Sequence, residues 1–331
     1  MANISITTAC NRDCAFCFAA RTENGARRPV RHMPLPRVEA ALDFLGRSGV
    51  SEARLLGGEP TLHPDFGRVV DMVVARGFGL VVFSGGLVPE PALKKLETVP
   101  VSAVSLLLNA VPSGLGRPLE PARLEEVCRR LGPRVTLGVT IDSPAIQLPS
   151  LLDAIDRCGL RRTVRLGLGH PAIGAANSYL RPRQYPEVGR RVTQFVLLAR
   201  ERDVSVEFDC GWVPCMFPDG ALATLGHGAD SLGSRCSPVL DLLPDGRFIS
   251  CYPLASLGSI VLHPGLDARN AREYFQDRRE KTGPCFLGPD CDGCGWRARG
   301  ECGGGCLSAA LLRRRTGRLS VAVARRVVRG C

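Results

Sequence analysis

Asn3-Ile4-Ser5-Ile6-Thr7-Thr8-Ala9-Cys10-Asn11-Arg12-Asp13-Cys14-Ala15-Phe16-Cys17-Phe18 is the stretch whose reading decides the fold of this chain. Its first five residues are β-branched or small, the pattern of a strand. Cys10, Cys14 and Cys17 then crowd the loop that follows. Three thiolates held that close can grip an iron-sulfur cube by three of its irons, leaving the fourth iron without a protein ligand and open to chemistry. A zinc site would need a fourth ligand and a disulfide framework an even count, and the loop supplies neither.

Outward from this stretch, six strand–helix units follow. The strands read as Asn3 to Thr7, Glu52 to Leu56, Gly79 to Phe83, Ala103 to Leu108, Val135 to Ile141, and Arg162 to Leu168. Between them, runs such as Val38, Ala41, Leu42, Leu45 and Phe66, Val69, Val70, Val73, Val74 keep one apolar face at helical spacing. Gly77 is placed to stop the second of these helices. A long helix is expected from Arg183 to about Arg202. The fold class is therefore α/β, either a partial (β/α)6 TIM-like barrel or an open doubly wound sheet, and in both the loops after the strand C-termini share one rim. The cysteine loop, Gly57-Gly58-Glu59-Pro60, Ser84-Gly85-Gly86, Asn109 and His170 all fall on that rim.

Beyond Val204 the texture changes to glycine, proline and cysteine. Of the 15 cysteines in the 331-residue chain, Cys210, Cys215, Cys236, Cys251, Cys285, Cys291, Cys294, Cys302, Cys306 and Cys331 lie here. Cys128 and Cys158 fall in helices and read as small apolar residues. This divides the chain into residues 1–203 and a cysteine-rich unit at 204–331.

At 45% hydrophobic and 23% charged, the composition is that of an ordinary globular protein. No signal peptide opens the sequence and no run is long enough to span a membrane, so a reducing cytoplasmic setting is expected, where metal ligation explains cysteines better than disulfides. A formal charge of +11 suggests an acidic partner. Thiolate-bound clusters each carry about −2, which basic residues offset; since no aromatic-interleaved basic motif accompanies the arginines, nucleic acid is not expected.

The first loop resembles the defining motif of the radical S-adenosylmethionine (SAM) enzymes, three cysteines separated by three and two residues with Phe16 before the last. Gly57-Gly58-Glu59-Pro60 is similar to that family's glycine-rich turn after strand two, which contacts the SAM amino group. The resemblance implies a SAM-binding [4Fe-4S] cluster on Cys10, Cys14 and Cys17, with Glu59 offered to the ammonium and Phe16 to the adenine. Ser84, Asn109 and Arg165 match positions that reach the ribose or carboxylate. Relatives often have Thr-Asn-Gly at Ser84-Gly85-Gly86 and Ser-x-Asp at Leu107-Leu108-Asn109.

The C-terminal half resembles the SPASM extension, which carries auxiliary clusters. Cys236, Gly246 and Cys251 fit its opening, and Cys291, Cys294, Cys302, Cys306 and Cys331 its close, although seven residues separate Cys294 from Cys302 where relatives have five. Two four-ligand clusters need one further thiol, for which Cys215 is the choice, with Cys210 and Cys285 as competitors. By analogy with relatives, Cys215, Cys236, Cys251 and Cys306 would hold one cluster, and Cys291, Cys294, Cys302 and Cys331 the other. A zinc knot over Cys291 to Cys306, and a loose terminal Cys331, remain the blander alternatives.

The implied reaction is reductive cleavage of SAM to a 5′-deoxyadenosyl radical, then hydrogen-atom abstraction from a ribosomally made peptide, giving a cross-link or an oxidation. The alternative substrate is a sugar or alcohol, dehydrogenated or epimerised. Sulfatase-maturing relatives place an aspartate where Tyr252 stands, so Tyr252 and Asp209 are the candidate catalytic groups. The expected partners are an electron donor such as flavodoxin or ferredoxin and, because the sequence opens almost at strand one, a separate leader-peptide-binding protein; no membrane partner is expected.

Overall fold

The computed structural model describes residues 2–21, 24–109, 121–226, 232–281 and 291–315. Cys285 and Cys331 lie outside them. The first half builds β1 (Ala2–Thr7), α1 (Leu35–Arg47), β2 (Glu52–Gly57), α2 (Phe66–Ala75), β3 (Gly79–Ser84), α3 (Glu90–Thr98), β4 (Val104–Asn109), α4 (Pro121–Leu131), β5 (Val135–Ile141), α5 (Ser150–Cys158), β6 (Thr163–Leu168) and α6 (Tyr185–Glu201). Then come β7 (Ser205–Phe208), α7 (Ala221–Leu225), β8 (Leu240–Leu242), β9 (Arg247–Ile249), β10 (Ile260–Val261), α8 (Ala268–Glu280), α9 (Gly295–Ala298) and α10 (Leu307–Arg315). All six expected strands form within a residue or two of their expected limits.

The ten strands of the described residues form one sheet in the order β10-β9-β8-β1-β2-β3-β4-β5-β6-β7. From β8 across to β7 every pairing is parallel, and only the β9 and β10 edge runs antiparallel. This is the mostly parallel α/β sheet of a TIM-like partial barrel. It does not stop at residue 203, because β7 pairs with β6 and β8 pairs with β1. Both strands are short, and only the pairing partner, which is remote in sequence, shows that they belong to the sheet.

Each helix buries one stripe against the sheet. On α1 it is Val38, Ala41, Leu42, Phe44 and Leu45, and on α2 Phe66, Val69, Val70 and Val73. After α2 the chain turns through Gly77 at φ 75°, a left-handed conformation that costs glycine little. Along β4, Val104, Leu106 and Leu108 are buried toward the helices while Ser105, Leu107 and Asn109 face the other way and keep partial exposure. That second face is the inner one. There the Arg165 guanidinium on β6 lies 5.9 Å from the ring centre of Phe83 on β3. Two strands intervene, a flat separation of roughly 14 Å at the usual strand spacing, so long side chains from both ends of the span lean over the strands between them.

The C-terminal part is tied into the same core. Phe248 on β9 stacks on Phe44 of α1 with ring centres 4.6 Å apart, and Trp212, fully buried, donates its indole N–H to Leu166 O at 3.1 Å. At the seam of β1 and β8, Asn3 faces Asp241, and its Nδ2 donates to Asp241 Oδ1 at 2.7 Å. Tyr252 N–H donates to Oδ2 at 3.2 Å. Burial pushes the Asp241 carboxyl up to about 7, with these two donors opposing it only in part.

Since the folded pKa lies above the unfolded one, the native state holds this proton where the unfolded chain has lost it. Stability should therefore fall as pH rises from about 4 to about 7, by up to about 4 kcal/mol. Urea midpoints at pH 5 and pH 7.5 are expected to differ in that direction for the native sequence and to converge for Asp241→Asn.

Candidate active site

The cysteine loop is fastened to the glycine turn by backbone alone. Gly58 N–H donates to Thr7 O at 2.8 Å and Glu59 N–H to Ala9 O at 2.7 Å, immediately before Cys10. A Cβ on Gly57 would lie 2.0 Å from Thr7 O, and one on Gly58 2.1 Å from Ala9 O. The glycines are thus required by the close approach of two strand ends, whereas the sequence pointed only to the approach of a ligand. Gly57 also holds φ 149°, which other residues rarely adopt.

Glu59 is buried and its carboxylate is fully engaged by the protein. Oε1 accepts from Thr61 Oγ1 at 2.6 Å and Thr61 N–H at 3.3 Å, and Oε2 from Ser84 Oγ at 3.0 Å and Gly85 N–H at 2.8 Å. Burial pushes this carboxyl up while the four donors pull it down. It ties the turn after β2 to the end of β3, with Pro60 buried at the start of the short helical turn Pro60–Leu62. Ser84, expected to face a ligand, is likewise buried and committed to Glu59.

Arg12 lies inside the cysteine loop and is 4% exposed; its Nη1 donates to Gly85 O at 2.8 Å and Asn109 O at 3.2 Å. Asn109 Nδ2 donates to Thr140 Oγ1 at 3.1 Å, and Asn11 Nδ2 to Leu87 O at 2.7 Å. Their side-chain carbonyl oxygens, buried on the same rim, accept no hydrogen bond among the described residues. Buried acceptors left so are costly unless a ligand completes them. From the other side, Asn177 Nδ2 donates to Phe16 O at 3.2 Å and Ser178 N–H to Ala15 O at 2.8 Å, so the segment after β6 closes over the loop. Arg12, Asn177 and Ser178 escaped the sequence reading because only remote contacts give them a part in the site.

Arg165 and Asp209, nominated for different tasks, form an ion pair with each other, Arg165 Nε donating to Asp209 Oδ1 at 3.0 Å. Parallel pairing of β6 with β7 brings them together. Tyr252 lies elsewhere on the inner face, its hydroxyl 3.0 Å from Ser5 Oγ on β1 and its ring 5.3 Å from that of Phe18. Burial pushes its phenol up. His170 Nε2 meets Cys210 O at 3.2 Å and is a loop contact.

The thiols fall into three sets. Cys10, Cys14 and Cys17 are mutually close enough to repel as anions, and burial with that repulsion pushes Cys10 up to about 11. Cys236, Cys251 and Cys306 form a second set, each thiol raised mainly by burial. Cys215, raised to about 11 by burial, is next affected by Cys302, Cys291 and Cys294. This proximity differs from the expected grouping, in which Cys215 stood with Cys236, Cys251 and Cys306. The reason is local: Cys215 sits in the helical turn Pro214–Met216, and the loop carrying Cys302 and Cys306 lies directly on the chain leading into it, a Cβ on Gly305 falling 3.1 Å from Val213 Cγ1. Among the described residues no three Cys, His, Asp or Glu side chains are arranged around a single ion. Sulfur-rich sets of this kind fit an iron-sulfur cube, whose several irons are met one by one.

Residues 4–132 match the Radical SAM superfamily. An S-adenosylmethionine-dependent nucleotide dehydratase of a Thermoplasmatales archaeon is 30% identical over 150 residues, 42% of this chain and 52% of that protein. A probable GTP 3′,8-cyclase of Aeropyrum pernix is 32% identical over 113 residues, 33% of this chain and 31% of that protein. The chain thus spans about half or less of the curated relatives it matches. Among solved structures, Streptococcus suis SuiB bound to S-adenosylmethionine superposes with a TM-score of 0.67 at 15% identity, over 93% of this chain and 73% of that one. Native anSMEcpe with bound AdoMet gives 0.64 at 14%, over 93% and 89%. At these identities the structural likeness concerns the fold.

Gly58→Ala would drive the added methyl into Ala9 O and displace the cysteine loop. Reconstituted iron is expected to drop by about a third while far-UV circular dichroism is kept. Gly67→Ala, where the nearest atom is Lys95 Cγ at 3.9 Å, should leave the iron unchanged.

Proposed function

This chain belongs to the radical SAM superfamily through residues 4–132, and from that premise we propose that it cleaves SAM reductively and uses the resulting radical to modify a ribosomally made peptide. The observation that carries the reading is the rim itself. A three-thiol loop is locked to the glycine turn, and Asn11 Oδ1 and Asn109 Oδ1 wait beside it without donors among the described residues. Ribose hydroxyls and an ammonium are the donors that SAM brings.

Cys10, Cys14 and Cys17 would hold a four-iron cluster, which would supply the electron for reductive cleavage of SAM and so the radical for hydrogen-atom abstraction. The chain's own residues orient and enclose. Gly57, Gly58, Glu59 and Pro60 set the height of the turn against the loop, and Ser84 steadies it through Glu59. Asn109 accepts from the ribose, and the Phe16 region, pinned by Asn177, borders the adenine. Arg165 is held by Asp209, which leaves the pair able to receive a carboxylate by exchange and Asp209 able to take a proton once Arg165 turns away. Tyr252, its hydroxyl held at Ser5, lines the inner face between the first loop and Cys251. Residues 204–331 are assigned the auxiliary, SPASM-like clusters, and the setting is a reducing cytoplasm with a small electron-transfer protein as donor.

Three supports favour a peptide. Inner-face residues such as Ser105, Leu107 and Asn109 keep partial exposure, the net charge of +11 suits an acidic peptide, and SuiB, similar in fold, has been solved with its precursor peptide SuiA. A second reading, a nucleotide substrate, is favoured by the curated relatives, a nucleotide dehydratase and GTP cyclases.

Anaerobic incubation with SAM and dithionite is expected to yield 5′-deoxyadenosine and none in Cys14→Ala; equal amounts in both would reject the activity. Asn109→Ala should weaken SAM binding by about 0.5–1.5 kcal/mol, the worth of one hydrogen bond. Mass spectrometry then separates the substrates: a mass change in a co-expressed short peptide supports the first reading, and turnover of a nucleoside triphosphate with every peptide unchanged supports the second.

A further inference from the structure

Residues 24–32 form a basic strap fastened to both ends of the first cysteine loop. Just before Cys10, Thr8 N–H donates to Arg31 O at 2.9 Å, Arg31 N–H to Thr8 Oγ1 at 2.7 Å and Thr8 Oγ1 to Pro29 O at 2.9 Å. Just after Cys17, Ala20 O accepts from Arg28 N–H at 2.9 Å. Asp13, between Cys10 and Cys14, accepts from Arg21 Nε at 3.1 Å and pairs with Arg27 Nη2 at 3.6 Å. These bonds fix the backbone of the strap and leave its side chains outside. Arg27, Arg28, Pro29, Val30 and Arg31 are all exposed, Val30 to 63%. Arg28 also donates from Nη2 to Gly174 O at 3.0 Å, which closes the strap onto the segment after β6.

We propose that this strap is the docking surface for an acidic electron-transfer protein. The proposal rests on the reading that Cys10, Cys14 and Cys17 hold a redox cluster, and it says where the electron enters. The step is a one-electron transfer in which the donor is oxidised, the cluster is reduced and no bond is made or broken. A protein donor must dock where the loop is reached through few bonds, and the strap is hydrogen-bonded to the residues flanking Cys10 and Cys17. Charge is complementary as well. The arginines of the strap outnumber the carboxylates beside them, which are Asp13 and, near Arg31, Asp245, itself paired with Arg247 at 2.7 Å. A positive patch of this kind speeds encounter with an acidic protein and orients it. An exposed valine alone carries no meaning, but Val30, set between Arg28 and Arg31, gives the patch an apolar centre beside arginines, a residue enriched at protein interfaces. An acidic peptide substrate is the other partner that arginines attract. A substrate chain has to reach the inner face, whereas the exposed residues of the strap face solvent and its edge is closed through Arg28.

The test uses the full chain, reconstituted anaerobically, with an acidic flavodoxin as the probe. Affinity for oxidised flavodoxin, measured without turnover, is expected to fall as salt is raised and to weaken about tenfold or more in Arg28→Glu/Arg31→Glu. Arg161→Glu/Arg162→Glu makes the same change of net charge just before β6, at the end of the strands opposite the rim, and should bind as the native chain does. Formation of 5′-deoxyadenosine driven by reduced flavodoxin should fall with the binding, whereas dithionite, which needs no docking surface, should drive all three forms equally. If the charge reversal does not fold, Arg28→Gln/Arg31→Gln should show the same order with a smaller loss. Native-like flavodoxin binding by the strap variants, or an equal loss in Arg161→Glu/Arg162→Glu, would overturn the proposal. Loss of binding to a short polyglutamate peptide with flavodoxin binding kept would overturn it too, marking a surface for substrate. No 5′-deoxyadenosine from the native chain with dithionite would instead sink the reading of the first loop and leave the binding comparison standing, so the two failures are distinguishable.

Discussion

Two backbone hydrogen bonds, from Gly58 to Thr7 and from Glu59 to Ala9, are the constraint on which the site depends. They hold the end of β2 against the segment leading from β1 to Cys10 at a distance that admits no side chain. Backbone pairing of this kind is insensitive to side-chain rotamers, so it positions the thiols more rigidly than contacts between flexible side chains could. Glu59 extends the same clamp to β3 by accepting four hydrogen bonds in a buried place. A carboxylate so placed is costly unless its lone pairs are used, and here they are what tie the turn after β2 to the end of β3.

The clamp also explains the oxygens left over. Donors around Glu59 are consumed by it, and Arg12 spends Nη1 on the carbonyls of Gly85 and Asn109. The side-chain oxygens of Asn11 and Asn109 face the same rim with no donor among the described residues. A polar ligand rich in donors would complete this arrangement, and the thiols of Cys10 and Cys17, raised by burial, would lose their protons on meeting iron, so that affinity for it would rise with pH.

The cysteine-rich half is woven into the sheet. β8 lies against β1, Phe248 packs on Phe44, and Tyr252 passes from Cys251 to the inner face. Displacements of this C-terminal part are therefore displacements at the wall of the candidate site. Geometry of this sort lets an event at Cys236, Cys251 and Cys306 be felt near Cys17 through one aromatic pair.

The sequence by itself determined the strand–helix alternation, the limits of the six strands, the rim on which the motifs converge and the three-thiol loop, because all of these are carried by local periodicity and short spacing. Tertiary structure decided the rest. That β7 and β8 join the two ends of the parallel run, that Arg165 meets Asp209, that Ser84 serves Glu59 and that the loop at Gly305 lies against Val213 depend on pairings between segments far apart in the chain. Spacing along a chain limits which thiols can reach one another, but it does not choose among partners equally within reach. The choice was made by close backbone packing at Gly57, Gly58 and Gly305, where the lack of a Cβ lets two segments touch and so fixes what their neighbours can reach.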